Sequence, residues 1–187
     1  MLTIALKEWS IVCDLILEGR LACLLRKGGI HEKGGPGVFR PQHDAFALFP
    51  SWAHQRPQMI KPPWRDRVRV ADEPDEITFA GIGRAEKVWQ VPSRAAFDVL
   101  EDTHCWTTAQ VDMRFAYKPQ RPLYVMAVRA ARLLEPKTVP NVAAYKGCRS
   151  WVQLRPGDEV DELGAENVME DQTFKSVIAR IDEAMHG

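Results

Sequence analysis

Residues 76–90, EITFAGIGRAEKVWQ, constrain the fold more than any other stretch of the chain. Ile77, Phe79, Gly81, Gly83 and Ala85 share one face at the two-residue strand period. Two successive inward positions are glycine, so a strand here must bend or admit another backbone, as at a barrel corner. A second segment, residues 123–134, is apolar on both faces through Val128 and reads as a central strand covered on both sides. Together they predict a curved sheet.

The remaining segments supply what covers that sheet. Residues 5–18 read as a helix through Leu6, Trp9, Cys13, Ile16 and Leu17, ended by Gly19. Residues 21–25 and 45–49 are short apolar strands, the second stopped by Pro50. Residues 27–37 are glycine-rich and form a loop. Residues 51–60 read as a short helix capped by Ser51, interrupted by Pro57 and ended by residues 61–64. Ser93 caps a helix running to Asp102, and Thr107 or Thr108 caps a second one reaching Arg114. Residues 150–154 form a last strand, and 171–186 a helix with the stripe Phe174, Val177, Ile178, Ile181 and Met185. This order lacks the regular alternation of a doubly wound sheet. It predicts an α+β fold: a mixed or barrel-like sheet with peripheral helices and a C-terminal amphipathic helix. Residues 1–155 are expected to form one domain. Residues 156–187 are an acidic connector plus a helix packed on it or extending it.

Composition matters mainly for what it excludes. A chain of 187 residues buries a core without disulfide or metal staples. It has no run of roughly 18 apolar residues and no basic-then-apolar leader, so a cytoplasmic protein without a membrane span is expected. Cysteines 13, 23, 105 and 148 form no Cys-x-x-Cys pair and read as reduced thiols. Histidines 31, 43 and 54 have no helical metal spacing, so neither metal nor cofactor is expected. Net charge is zero but comes in blocks: +7 over residues 20–69, −6 over 70–113, +8 over 114–155 and −7 over 156–187. Two basic blocks folded side by side would attract phosphates.

The residues with chemistry to offer lie mostly in those basic blocks. Arg26 and Lys27 add charge to Gly28 and Gly29, whose backbone N–H groups can cradle an anion. His31 and Glu32 follow as an acid–base pair, with Glu32 as an orienter. His54 can move protons near neutral pH, while Gln55 can fix a carbonyl or a base edge. Arg114 and Arg149 suit bidentate phosphate contact. Trp106, Tyr145 and Trp151 offer base-stacking surfaces beside Ser150. Three familiar devices are missing. There is no phosphate-binding Gly-x-x-x-x-Gly-Lys-Ser/Thr string and no Gly-x-Ser-x-Gly elbow, and Glu135-Pro136-Lys137 is spoiled as a nuclease string by its proline.

Several of these strings resemble a known family. Lys7-Glu8-Trp9, residues 24–32, residues 46–51 and His54-Gln55 look like the bacterial proteins grouped as domain of unknown function 1802. Trp106, Arg114-Phe115, Lys118-Pro119, residues 122–124 and Tyr145-x-Gly147-Cys148-x-Ser150-Trp151 fit the same pattern, so the resemblance spans residues 5 to about 154. It implies no activity. A second, pattern-level similarity is to PUA-like barrels of the ASCH and EVE types, through Leu17-Glu18-Gly19, residues 21–27 and Gly81-Ile82-Gly83-Arg84-Ala85. That similarity implies an RNA-binding or modified-base pocket and, in some ASCH members, a ribonuclease or other hydrolytic site.

The expected function is a module binding a nucleic acid, RNA before DNA, or a nucleotide-like anion through Lys27, Gly28, Gly29, Arg114 and Arg149. The alternative from another class is a metal-independent hydrolase of RNA or a modified nucleoside. There His54 would be the general acid/base, and Lys27 and Arg114 the charge stabilisers. A third reading is a protein-interaction module docking through its C-terminal helix. The oligomeric state is open.

Overall fold

A computed structural model describes residues 1–27, 43–147 and 149–186. Its elements are β1 (Ile4–Trp9), α1 (Ser10–Leu17), β2 (Cys23–Lys27), β3 (Ala45–Ser51), α2 (Pro62–Arg65), β4 (Glu76–Gln90), α3 (Arg94–Asp98), α4 (Thr108–Ala116), β5 (Leu123–Pro140), β6 (Trp151–Gln153), β7 (Glu166–Asn167) and α5 (Asp171–His186). The fold is α+β. One mixed sheet runs β2-β5-β4-β3-β1-β6, with β7 added to β5. β1 and β3 pair in parallel, and the other pairs are antiparallel.

β4 and β5 form the spine of the sheet, and β4 bends as its glycines require. Register shifts fall between Phe79 and Gly81 and between Ala85 and Lys87. A Cβ on Gly81 would sit 2.7 Å from the Ala131 carbonyl oxygen, and one on Gly83 would sit 2.7 Å from both the Phe46 ring and Val128. The curvature brings the two ends of the strand path together. Arg26, at the β2 end, reaches Glu8 and the Lys7 carbonyl on β1. The sheet is therefore barrel-like, joined across one seam by side chains.

Both faces of the sheet are covered. Strand alternation sends neighbours into different cores. Leu6 and Phe46 join α1 and the α5 residues Phe174, Ile181 and Met185 on one side. Ala5 and Ala47 join Phe49, Phe79 and Tyr145 on the other. The α5 stripe is the one expected from its spacing, with Val177 and Ile178 partly buried beside it. Asp182 on α5 ties the helix to β4 by accepting from Trp89 Nε1 and Lys87 Nζ, each at 2.6 Å. Ser93 and Thr107 cap α3 and α4, accepting from Ala96 N at 3.1 Å and Gln110 N at 3.4 Å.

Three local expectations are corrected. Residues 5–9 are strand, not the first turns of a helix. Leu6 and Trp9 fit both periodicities over so short a span. Pairing with β3 on one edge and β6 on the other satisfies the backbone as a lone helical turn cannot. Pro50 does not stop β3, which runs on to Ser51, because beyond Ala47 that strand is paired only along its β1 edge. Ser51 caps no helix. Its Oγ donates to Glu73 Oε1 at 2.5 Å, and residues 51–60 form an irregular turn and a short 3₁₀ segment, Pro57–Met59.

Cys13, Cys23 and Cys105 are buried free thiols, their pKa values raised by burial. Among the described residues no helix is long and apolar enough to cross a membrane, and no group of His, Cys, Asp and Glu is arranged to hold a metal ion.

Candidate functional site

The parallel strands β1 and β3 end side by side, with Trp9 in register with Ser51. Beyond those carboxyl ends, and against Lys146, Gly147, Arg149 and Ser150, lies an open cleft of about 380 Å³. Its walls carry Lys7, Glu8, His54, Glu73, Lys146, Arg149 and Ser150. Lys7 reaches across it. Its Nζ donates to the carbonyls of Tyr145 at 2.5 Å and Gly147 at 3.3 Å, and lies 4.8 Å from the Phe49 ring centroid. This amine ties residues 145 and 147 to the sheet.

The far wall is a turn organised by an acid. Glu73 accepts from Ser51 Oγ at 2.5 Å, Trp52 N at 3.1 Å and Ala53 N at 3.2 Å. Three donors on one carboxylate hold the turn rigid and offset its negative charge. The same turn carries His54 into the left-handed region, with φ of 60°. A non-glycine residue there costs on the order of 1 kcal/mol or more and persists where its surroundings dictate the backbone. His54 is thereby fixed at the exposed mouth of the cleft. Gln55 follows it inward. Its amide accepts from Ile11 N at 3.4 Å and donates to Ser10 Oγ at 3.0 Å and to the Arg69 carbonyl at 3.2 Å. It caps the start of α1 from outside, where Trp9 offers no capping side chain.

The back wall is the seam of the sheet. Arg26 Nη2 lies 3.1 Å from Glu8 Oε2 and 3.3 Å from the Lys7 carbonyl, while Nη1 donates to Ser150 Oγ at 3.3 Å. Arg26 points to this side because it precedes Lys27 on a strand, where neighbours face opposite ways. Lys27 opens on a separate pocket of about 330 Å³ with Arg94, Phe115 and Arg121, and its Nζ donates to the Phe115 carbonyl at 3.0 Å. Burial lowers the Lys27 pKa.

The predicted site residues therefore divide. His54, Arg149 and Ser150 line the cleft, and Arg26 backs it. Lys27 does not reach it. Arg114 lies behind it, its Nη1 on the Leu25 carbonyl at 3.3 Å and its guanidinium 4.4 Å from the Trp106 ring centroid. Trp106 is buried against Trp9, with ring centroids 5.0 Å apart. Tyr145 is fully buried and donates to Asp158 Oδ2 at 2.5 Å, so its ring is core. Trp151 packs edge-on against Phe46 and His43, both at 5.4 Å. Gly28, Gly29, His31 and Glu32 lie outside the described residues. The cleft also holds Lys7, Glu8, Glu73 and Lys146, which were not among the expected site residues. Lys7 and Glu8 belong to the Lys7-Glu8-Trp9 string that carried the family resemblance, and that was the available signal. Glu73 lies in a polar stretch with no pattern to mark it.

The cleft is cationic at its rim. Lys146 and Arg149 are exposed and make no ion pair among the described residues. Lys146, Gly147, Arg149 and Ser150 on this rim fall within the stretch that carried the family resemblance. The chain belongs to the family of domain of unknown function 1802. The family model matches residues 5–180, reaching past the acidic connector into α5. No curated protein matches the sequence significantly. Among solved structures, one titled "Crystal structure of ASCH from Zymomonas mobilis" is similar, with 10% identity and a TM-score of 0.49, covering 83% of this chain and 89% of that one.

Proposed function

We propose that this protein binds a nucleic acid, RNA before DNA, or a nucleotide-like anion in the cleft at the ends of β1 and β3. The observation that carries this reading is the pairing of an open cavity with a rim whose Lys146 and Arg149 make no ion pair among the described residues. Lys146 and Arg149 stand exposed on it, while Glu73 is taken up by a turn and Glu8 by Arg26. Exposed cations with no ion-pair partner among the described residues are suited to phosphate contacts. Ser150 and the turn holding His54 shape the cavity floor and mouth.

The test is binding of a short single-stranded RNA by anisotropy over a range of salt. Each phosphate contact on a single strand contributes about −0.7 to the log–log salt slope. Changing Lys146 and Arg149 to Glu together is expected to lower affinity strongly and flatten that slope by about 1.4, with an unchanged melting temperature. Binding that is insensitive to salt and to both changes would refute the reading. Turnover of the RNA that disappears in His54→Ala, with the fold intact, would make the cleft hydrolytic instead.

A further inference from the structure

The pocket on which Lys27 opens shares no lining residue with the cleft. It has room of its own, about 330 Å³. Three parts of the chain contribute cations to its lining: Lys27 at the end of β2, Arg94 at the start of α3 and Arg121 in the turn between α4 and β5. No aspartate or glutamate lines it. Phe115, Pro92, Pro119 and Pro122 give it stiff, apolar walls.

The cations keep donors in reserve. An ammonium has three N–H groups, and Lys27 spends one on the Phe115 carbonyl at 3.0 Å. It makes no ion pair among the described residues, and burial lowers its pKa with no carboxylate to offset the loss of water. Arg94 is braced from outside the pocket. Its Nε donates to Asp112 at 2.7 Å and its Nη1 pairs with Asp98, while both carboxylates are more than half exposed and neither lines the pocket. That leaves Nη2 for a ligand. Ser93 Oγ accepts from Ala96 N at 3.1 Å and keeps its O–H to donate. The turn carrying Arg121 is held by its N–H on the Lys118 carbonyl at 2.8 Å. Acceptors in the lining are few: the Phe115 carbonyl is taken by Lys27, and the amides of Gln90 and Gln120 can turn to donate. A planar carboxylate is satisfied by one guanidinium fork. Donors arriving from three separate elements suit the tetrahedral oxygens of a phosphate instead.

We propose that this pocket is a second anion site, which holds the phosphate group of a phosphate ester between Lys27, Arg94 and Arg121. The ester comes from a small phosphorylated molecule, its organic part against Phe115 and the prolines, or from the backbone of a nucleic acid strand.

The experiment titrates the full chain at fixed ionic strength with inorganic phosphate, ribose 5-phosphate, ribose and acetate, following backbone amide shifts. Phosphate and ribose 5-phosphate are expected to move the amides of Val91, Ser93 and Leu123. Ribose moves none of them, and acetate binds at least about tenfold more weakly than phosphate. Lys27→Met keeps the aliphatic stem and removes the charge. It is expected to weaken phosphate binding about tenfold or more while the melting temperature holds. Changing Lys146 and Arg149 to Glu together leaves this binding unaltered. Should Lys27→Met unfold, the wild-type shifts and the preference for phosphate over acetate decide. A second arm measures the salt dependence of binding to a short single-stranded RNA. A slope flattened by about 0.7 in Lys27→Met identifies a strand phosphate as the source, and an unchanged slope identifies a small molecule. Acetate binding as well as phosphate, or phosphate shifts confined to the cleft, overturns the proposal and leaves the cleft reading standing. Phosphate held at Lys27 without any RNA binding upholds the pocket and overturns the cleft reading of a nucleic acid.

Discussion

His104 shows how far burial can override the habits of a residue. The ring is stacked on Phe97 at 4.9 Å, and its Nδ1 accepts from Trp106 N at 3.2 Å. Glu101 lies 3.5 Å away but is more than half exposed. Burial, reinforced by Lys61 and Arg94, lowers the pKa to about 3 from 6.5. The folded chain therefore refuses a proton that the unfolded chain accepts between about pH 6.5 and 3. Stability from this group is fully present above that window and falls as pH drops through it, by at most about 1.4 kcal/mol per unit. Urea unfolding at pH 7 and 4.5 checks this. His104→Asn, whose side chain can still accept from the backbone N–H two residues on, should lose that part of the pH dependence. A second residue-scale prediction concerns Tyr145, whose hydroxyl donates to Asp158 and accepts from Arg155 N at 2.9 Å. Tyr145→Phe strands both partners and should cost about 1–3 kcal/mol by denaturant titration.

Among the elements, β4 depends most on particular residues. Its glycines are not loose joints, because the space a side chain would need is already filled. Gly83→Ala would drive a methyl against Phe46 and Val128. About 1–3 kcal/mol of destabilisation is expected in chemical unfolding, as for other overpacked cores. The register shifts and the pairing with β5 were not legible, whereas the bend follows from the same two positions and was legible at the strand period. So were the caps at Ser93 and Thr107 and the stripe of α5, because each is a local device with a short-range signature. β1 was not legible. Over six residues its apolar positions fit a helix equally well, and its two pairing partners lie about 40 and 145 residues away in the chain.

The Glu8–Arg26 pair belongs to the scale of the whole molecule, because it joins strands near opposite ends of the sheet path. Arg26→Met alone leaves Glu8 buried without its counter-charge and should cost about 3–5 kcal/mol. Adding Glu8→Leu should recover most of that loss. A double-mutant cycle on unfolding free energies measures the coupling, and additive single effects would show that the pair does not hold the seam. The sequence by itself determined the curved central strands, the helix caps, the C-terminal stripe and the uneven charge, since those depend on neighbours within a turn or a strand. It could name Arg26, His54, Arg149 and Ser150 as polar residues with something to do. Only the tertiary structure decided that Arg26 faces Glu8 while Lys27 faces away, and that Trp106 and Tyr145 are core. It alone set Lys146 beside Arg149 on an open rim. Those outcomes depend on how the sheet curls, and curling brings together residues that no local pattern relates.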